Sequence, residues 1–522
     1  MRRFILLAAC AALIACPGEN STLSGEGAGA DFSADGGLSF GDVGAVVEGG
    51  VVGDGPSSPD TFVDPNDLDG DGLSNDEEKK LGTDPLLDDT DNDGIKDKTE
   101  VGSAQAPKDE DGDGQIDALE PNDFDSDKDG TPDSKDNDNT DGPCGSLPRL
   151  FANATLNTSA KLKKSCSPYK VLGALFVLNK AQLSAEAGVE VRFGPRASLQ
   201  IGNNAAKGEL WLKGATGSAV VLTADSKTPQ PGYWRGVVLE NAKPLNLTNV
   251  EIRWAGGATN GGDPQAQVLI KASNQIAVTD SVFEDGAGAG IHSVVVNTSA
   301  RHLLAFHNNK FARLKGQALA LNVRHVGELE GGNDFGGAEV GVLGTDIKKD
   351  SKWRALGAGS RYAFSENSVN VNAELILEAG VSIDFATNTE FRVGYLGKGR
   401  LETRGTQAEP VTLSSVTAKA GSWTGLIFSS GKNALTQTKV IGGGRNSTTN
   451  TEAGIYVGQS GSLKATTTTI TDSAAYGAYL FLNNDGCKKL VTPAGLVFSG
   501  AVAKCKLFCL DDTNSPGVCS VP

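Results

Sequence analysis

The residues of this chain best suited to chemistry are carboxylates at a fixed spacing. The stretch DLDGDGLSNDEE, Asp67 to Glu78, carries acids at its first, third, fifth and last positions around a glycine at the sixth. Like charges so close together repel, and a compact loop of this kind needs a cation to neutralise it. The pattern D-x-D-x-D-G-x-x-[DN]-x-x-[DE] then recurs as DTDNDGIKDKTE from Asp89, DEDGDGQIDALE from Asp109 and DSDKDGTPDSKD from Asp125. Ca²⁺ takes about six to eight hard oxygen ligands, which a loop delivers from alternate side chains, one backbone carbonyl and a final bidentate carboxylate, with glycine allowing the sharp turn. In the first loop Asp67, Asp69 and Asp71 are expected to offer side chains, Leu73 its carbonyl, Asn75 a contact through water and Glu78 the closing carboxylate. The same roles fall to Asp89, Asp91, Asp93, Ile95, Asp97 and Glu100 in the second loop. They fall to Asp109, Asp111, Asp113, Gln115, Asp117 and Glu120 in the third, and to Asp125, Asp127, Asp129, Thr131, Asp133 and Asp136 in the fourth. A fifth start at Asp136 has Thr140 where its third acid should stand, which leaves at best a weak or shared site.

The elements that hold these loops must be small. The loops begin 22, 20 and 16 residues apart, too close for the paired helices of an EF-hand or dockerin. Only Asp76 to Leu81 has room for a short helix before Gly82, and Thr83-Asp84-Pro85 breaks it. With its linker and loop LGTDPLLDDTDNDGIKD, the segment resembles the thrombospondin type 3 repeat in its bacterial form. That resemblance implies loops wrapped around a string of Ca²⁺ ions with little apolar core. Residues 64–142 are therefore expected to form a calcium-dependent stalk, ion binding taking the place of core burial. A solvated acidic linker is the competing reading.

Charge follows the same division. Residues 60–142 hold 29 acidic and 7 basic side chains, net −22, whereas residues 143–522 carry +10 within an overall −17. The long basic part could be steered toward acidic surface polysaccharide, although an ordinary solvated surface explains the balance as well. The chain contains no Arg/aromatic nucleic-acid motif and no phosphate-cradling loop.

The N-terminus MRRFILLAACAALIAC joins a basic start to about twelve apolar residues, a secretory signal too short to span a bilayer. Its end, Leu13-Ile14-Ala15-Cys16, is similar to a bacterial lipobox, which implies residues 1–15 as signal peptide and Cys16 as the lipidated first mature residue. Pro17 after it, by the same resemblance, favours the outer membrane. Residues 16–63, rich in Gly, Ser, Ala and Asp, read as a flexible tether. Beyond Cys10 and Cys16 stand Cys144, Cys166, Cys487, Cys505, Cys509 and Cys519, an even number in an oxidising compartment. Fifteen pairings are open; proximity favours Cys144 with Cys166 and leaves the other four among themselves. Residues 143–168 and 486–522 are accordingly expected as stapled caps.

Between them, short runs such as Val189–Phe193 alternate apolar and polar residues, as strands do. The region repeats itself. Glu186-Ala-Gly-Val189 returns as Glu378-Ala-Gly-Val381, GYWRGVVLE from Gly232 as GSWTGLIFS from Gly421, and Phe283 is followed by Phe311 after 28 residues. Rungs of this length indicate a solenoid. The region resembles the right-handed parallel β-helix domains of bacterial surface lipoproteins, over residues 169–485, in an all-β protein. A β-sandwich array is the alternative.

Parallel β-helices also host polysaccharide lyases and hydrolases. Their Gly-His-Gly element is not in the sequence, and Asp280, Asp285, His302, His307 and Arg313, which opens the Arg-x-Lys of Arg313-Leu314-Lys315, are scattered, as solvated turn residues are. His307-Asn308-Asn309 reads as a turn or asparagine ladder, and the single GGNDFGG from Gly331 as a turn. Of the five tryptophans, Trp234 and Trp423 sit at equivalent positions of the repeat, which favours packing over sugar platforms. The whole is expected to be a calcium-binding, lipid-anchored surface protein that displays the solenoid to a glycan or protein partner. A membrane-anchored enzyme acting on acidic polysaccharide is the second reading.

Overall fold

The computed structural model describes residues 64–139, 142–144, 147, 149–258, 262–272, 275–294, 301–357, 359–366, 368–445, 452–481, 495–502 and 505–510. The signal peptide, Cys16 and the tether lie outside the described residues, as do Cys487 and Cys519.

From Leu150 onward the chain winds as a parallel β-helix. Strands come in threes, Tyr169–Leu172, Ala174–Val177 and Gln182–Ala185 forming one coil and Glu190–Phe193, Ser198–Ile201 and Glu209–Lys213 the next. In these coils each strand pairs in parallel with the one three places later. No antiparallel pairing joins the named solenoid strands among the described residues, so the β-sandwich alternative is excluded. Period-2 alternation sends every second side chain inward, and stacking in register places like on like. Tyr169, Val191, Leu222, Ile252, Phe283 and Phe311 form one such column, each paired with the next, and all are buried. The Phe283 and Phe311 rings stack at 5.0 Å.

The two halves of the internal repeat fold alike. Gly188 and Gly380 both take positive φ in the Glu-Ala-Gly-Val turn, a conformation that costs glycine little. Trp234 stacks on Phe193 at 3.9 Å and donates from Nε1 to the Arg253 carbonyl. Trp423 stacks on Phe385 at 4.5 Å and donates to the Ile441 carbonyl. Both indoles are fully buried, packing residues as their equivalent positions suggested.

The solenoid is longer than its expected span at both ends. Strands Leu150–Ala152, Thr155–Leu156 and Ala160–Leu162 lie within the supposed N-terminal cap, yet they pair in parallel with the coil that follows. At the other end Leu496–Val502 and Cys505–Leu510 pair with the preceding coil, past residue 485. The density of cysteine marked these stretches as caps, but their alternation continues the ladder. Cys144 and Cys166 form a disulfide, Cα–Cα 5.9 Å. The backbones of Cys505 and Cys509 lie in the last strand.

Candidate metal centre

The four acidic loops share one hydrogen-bonded design. In the first, both oxygens of Asp67 accept backbone N–H groups, from Gly70 at 2.8 Å and Gly72 at 3.1 Å. Asp69 accepts from Asp71 N and Asp71 from Leu73 N. The same bonds recur around Asp109, Asp111 and Asp113, and around Asp125, Asp127 and Asp129. Asp89 differs only in accepting from Asp93 and Gly94. These bonds bend the backbone so that the first, third and fifth carboxylates converge. In each loop one oxygen from each of the three lies within 4.8 Å of the others. Leu73, Ile95, Gln115 and Thr131 follow directly, each N–H bonded to the fifth-position carboxylate.

Short helices bring up the closing acids. Asn75–Leu81 begins at Ser74, whose hydroxyl and Glu77 form a capping box, and ends at Gly82 in the left-handed conformation. This turn carries Glu78 inward, where it is wholly buried. The helix Asp97–Val101 does the same for Glu100, and a 3-10 turn at Asp117–Leu119 precedes Glu120. Asp136, one methylene shorter, is only half-buried.

These carboxylates are buried without partners enough for their charge. Both oxygens of Glu78, and Asp69 Oδ2, Asp91 Oδ2, Glu100 Oε2 and Asp111 Oδ2, are enclosed with no hydrogen-bond donor among the described residues. Burial, then the neighbouring aspartates, pushes Glu78 up to about 8 and Glu120 to about 8. Burial followed by the like charge of Glu100 raises Asp91 to about 9, and burial with Asp93 and Asp89 raises Glu100 to about 8. An orphaned buried carboxylate is costly. Convergent hard oxygens with no internal donor fit a divalent cation, and the residues present pass that test.

The ninth-position residues have another task. Asn75 Oδ1 accepts from Leu68 N, Asp97 from Thr90 N and Oγ1, Asp117 from Glu110 N, and Asp133 from Ser126 N and Oγ. In all four loops the acceptor at position nine thus ties down the N–H at position two. Beside the expectation that they serve the ion, Asn75 through water, their oxygens brace the loop's entry. An acceptor at position nine opposite Thr or Ser at position two was the available signal in the second and fourth loops.

The loops also interlock. Asp71 Oδ2 accepts from Lys98 N in the second loop, Asp93 Oδ2 from Asn122 N, and Asn122 Nδ2 donates to Glu100. A small apolar cluster of Leu73, Val101 and Ala118 lies between them.

The segment is not a free stalk, since it lies against the solenoid. Asn92, at positive φ in the second loop, donates to the Asp225 carbonyl and accepts from the Tyr233 hydroxyl at 2.9 Å. Phe124, the only aromatic residue of residues 64–142, sits under the Arg149 guanidinium and the Lys170 ammonium at 4.6 and 5.1 Å. Lys170 is paired to Asp123 and Asp225, and Arg149 donates to the Asp125 and Cys166 carbonyls. Asp127 accepts from Gly142 N and Cys144 N, which leads the fourth loop into the disulfide. Sequence reasoning missed this seam. Its one signal was a lone aromatic inside an acidic run.

Elsewhere the scattered acid/base candidates meet in structural contacts. Asp285 is held by Arg313 at 2.6 Å, and Asp280 accepts from Asn308. His302 is buried inside the solenoid against Ser293, whereas His307 ends an outer strand. Asn309 and Asn333 form a short ladder, Nδ2 to Oδ1 3.0 Å, which places GGNDFGG in a turn. Trp211 is 48% exposed on a sheet face, and Trp353 is buried.

Residues 67–87 and 89–101 match the bacterial TSP3 repeat family. No curated protein and no solved structure matches the chain. The N-terminal segment thus carries repeats of a calcium-binding type, ahead of an all-β parallel β-helix.

Proposed function

We propose that this chain is a calcium-binding surface lipoprotein, anchored to the bacterial outer membrane through Cys16, that displays its β-helix for non-catalytic binding of a glycan or protein partner. The observation that carries the calcium reading is the set of four carboxylate triads in one loop geometry, three of them closed by a buried glutamate. When bound, the ion supplies the positive charge these carboxylates lack. The first, third and fifth aspartates of each loop hold it, Glu78, Glu100 and Glu120 close three sites, and Asp136 closes the fourth more loosely. Residues at position nine hold the loop entry in place. Because the segment packs on the solenoid, the order imposed there extends to the seam at Asn92, Phe124 and Lys170.

The test is calcium counting by mass spectrometry on the full chain after chelation and reloading. Four ions, one per triad, are expected, and a chain that binds none or one overturns the reading. Release of unsaturated or reducing ends from uronate polymers would replace the binding role by the enzymatic one. Loss of palmitate labelling in Cys16→Ser tests the anchor, and a glycan and surface-protein screen of the full chain tests the partner class.

A further inference from the structure

The linker between the first two loops and the flank of the solenoid enclose a cavity of about 250 Å³. Asp84, Pro85 and Asp91 line it from the repeat side, and Leu172, Arg196 and Arg235 from the solenoid side. Arg196 is satisfied by Asp84, Nη1 to Oδ1 3.2 Å. Arg235 is not. Its side chain has no ion pair or hydrogen bond among the described residues, and its Nε is enclosed without an acceptor. Burial, with Arg196 beside it, holds its pKa below the usual guanidinium range.

A guanidinium nitrogen enclosed without an acceptor is costly, and the planar fork of Arg235, half-buried at the cavity wall, matches a carboxylate. Charge narrows the choice further. Asp84 pairs with Arg196, and the Asp91 carboxylate is turned to the other two acids of the second loop, where it would hold the ion. That last step rests on the calcium reading above. Arg235 is then the lining cation without a paired acid, and a dianion would face Asp84 and Asp91 as well. The volume lies just below the roughly 300–1,000 Å³ of pockets for drug-sized ligands, which limits the occupant to one small ring or a short acid. We propose that this cavity binds a small monocarboxylate, its carboxylate on Arg235, at the seam between the calcium repeats and the β-helix.

The experiment is calorimetric titration of the full, calcium-loaded chain with D-galacturonate, lactate, neutral galactose and inorganic phosphate, with calcium content measured on the same sample. Galacturonate is expected to bind once per chain and galactose not at all. Lactate binding as tightly would assign the recognition to the carboxylate alone, and weaker lactate binding would assign it to a sugar acid; both outcomes support the site. Arg235→Gln should weaken galacturonate binding about tenfold or more, as loss of a charge-assisted bond does. Should that variant fold poorly by tryptophan fluorescence, Ala152→Leu, which narrows the cavity and keeps both guanidiniums, should abolish binding instead. A calcium-loaded chain that binds neither acid, that binds phosphate in preference, or whose Arg235→Gln and Ala152→Leu variants bind galacturonate unchanged overturns the proposal and leaves the calcium reading standing. A chain that holds no calcium removes the calcium reading; galacturonate binding to it through Arg235 would still support the carboxylate site.

Discussion

Over residues 64–139 the buried apolar side chains are Leu73, Val101, Ala118 and Phe124, whereas the single coil from Tyr169 to Ala185 buries eight. The first region is built on convergent carboxylates held by backbone N–H groups, with several oxygens left without donors, the second on columns of stacked apolar side chains. Apolar burial stabilises the solenoid in any buffer, because it depends on water alone. On the calcium reading proposed above, the acidic loops depend on a solute. The two regions should therefore answer differently to the same perturbation, and the seam between them should report the coupling.

Chelation should give the largest effect. Excess chelator is expected to open residues 64–139 to protease and to hydrogen exchange while the far-ultraviolet signal of the β-helix persists; equal protection with and without calcium would erase the distinction between the regions. Trp234→Ala should do the reverse, lowering solenoid stability in denaturant titration by about 3–5 kcal/mol, the usual cost of truncating a buried tryptophan, with calcium content unchanged. A loss of bound calcium in that variant would mean that the regions fold as one unit.

Acidity sharpens the comparison further. In chelator, Glu78, Glu100 and Glu120 near 8 and Asp91 near 9 hold protons in the folded loops that the unfolded chain has released above the ordinary carboxylate range. The folded state binds more protons through that window, so protection of the metal-free segment should fall as pH rises from about 5 to 9. Calcium should suppress the trend, because it takes the place of those protons. A metal-free segment protected equally across the window would show that its carboxylates carry no such cost. The smallest effect is expected at the seam. Asn92→Ala removes two hydrogen bonds to the solenoid and should raise exchange in the second loop by about 1–2 kcal/mol of local stability, with the first loop unaffected.

The loops were legible in the chain because their geometry is local. Asp67, Gly72 and Glu78 lie within one turn-and-helix unit, so the bonds from Asp67 to Gly70 and Gly72 follow from spacing alone. The helix before Gly82 was legible for the same reason. The solenoid showed itself through repetition, since stacked coils place Phe283 beside Phe311 only if the sequence returns to the same residue type at that interval. Its ends were misplaced because cysteine content is a weaker guide than alternation. The role of position nine was hidden by its chemistry, an acid among acids, and only the bond to position two separates it from the ligands.

By itself, then, the amino-acid order determined the carboxylate loops and the coil repeat and favoured the pairing of Cys144 with Cys166, all features set by short spacings or by recurrence. Only the tertiary structure decided that the acidic segment lies along the β-helix, that Phe124 rests beneath Arg149 and Lys170, and that Arg235 faces Asp84 and Asp91 across a cavity. The reason is distance along the chain. Arg235 stands about 150 residues beyond the linker it faces, and no local preference brings such groups together; the winding of the solenoid and the turn at Cys144 do.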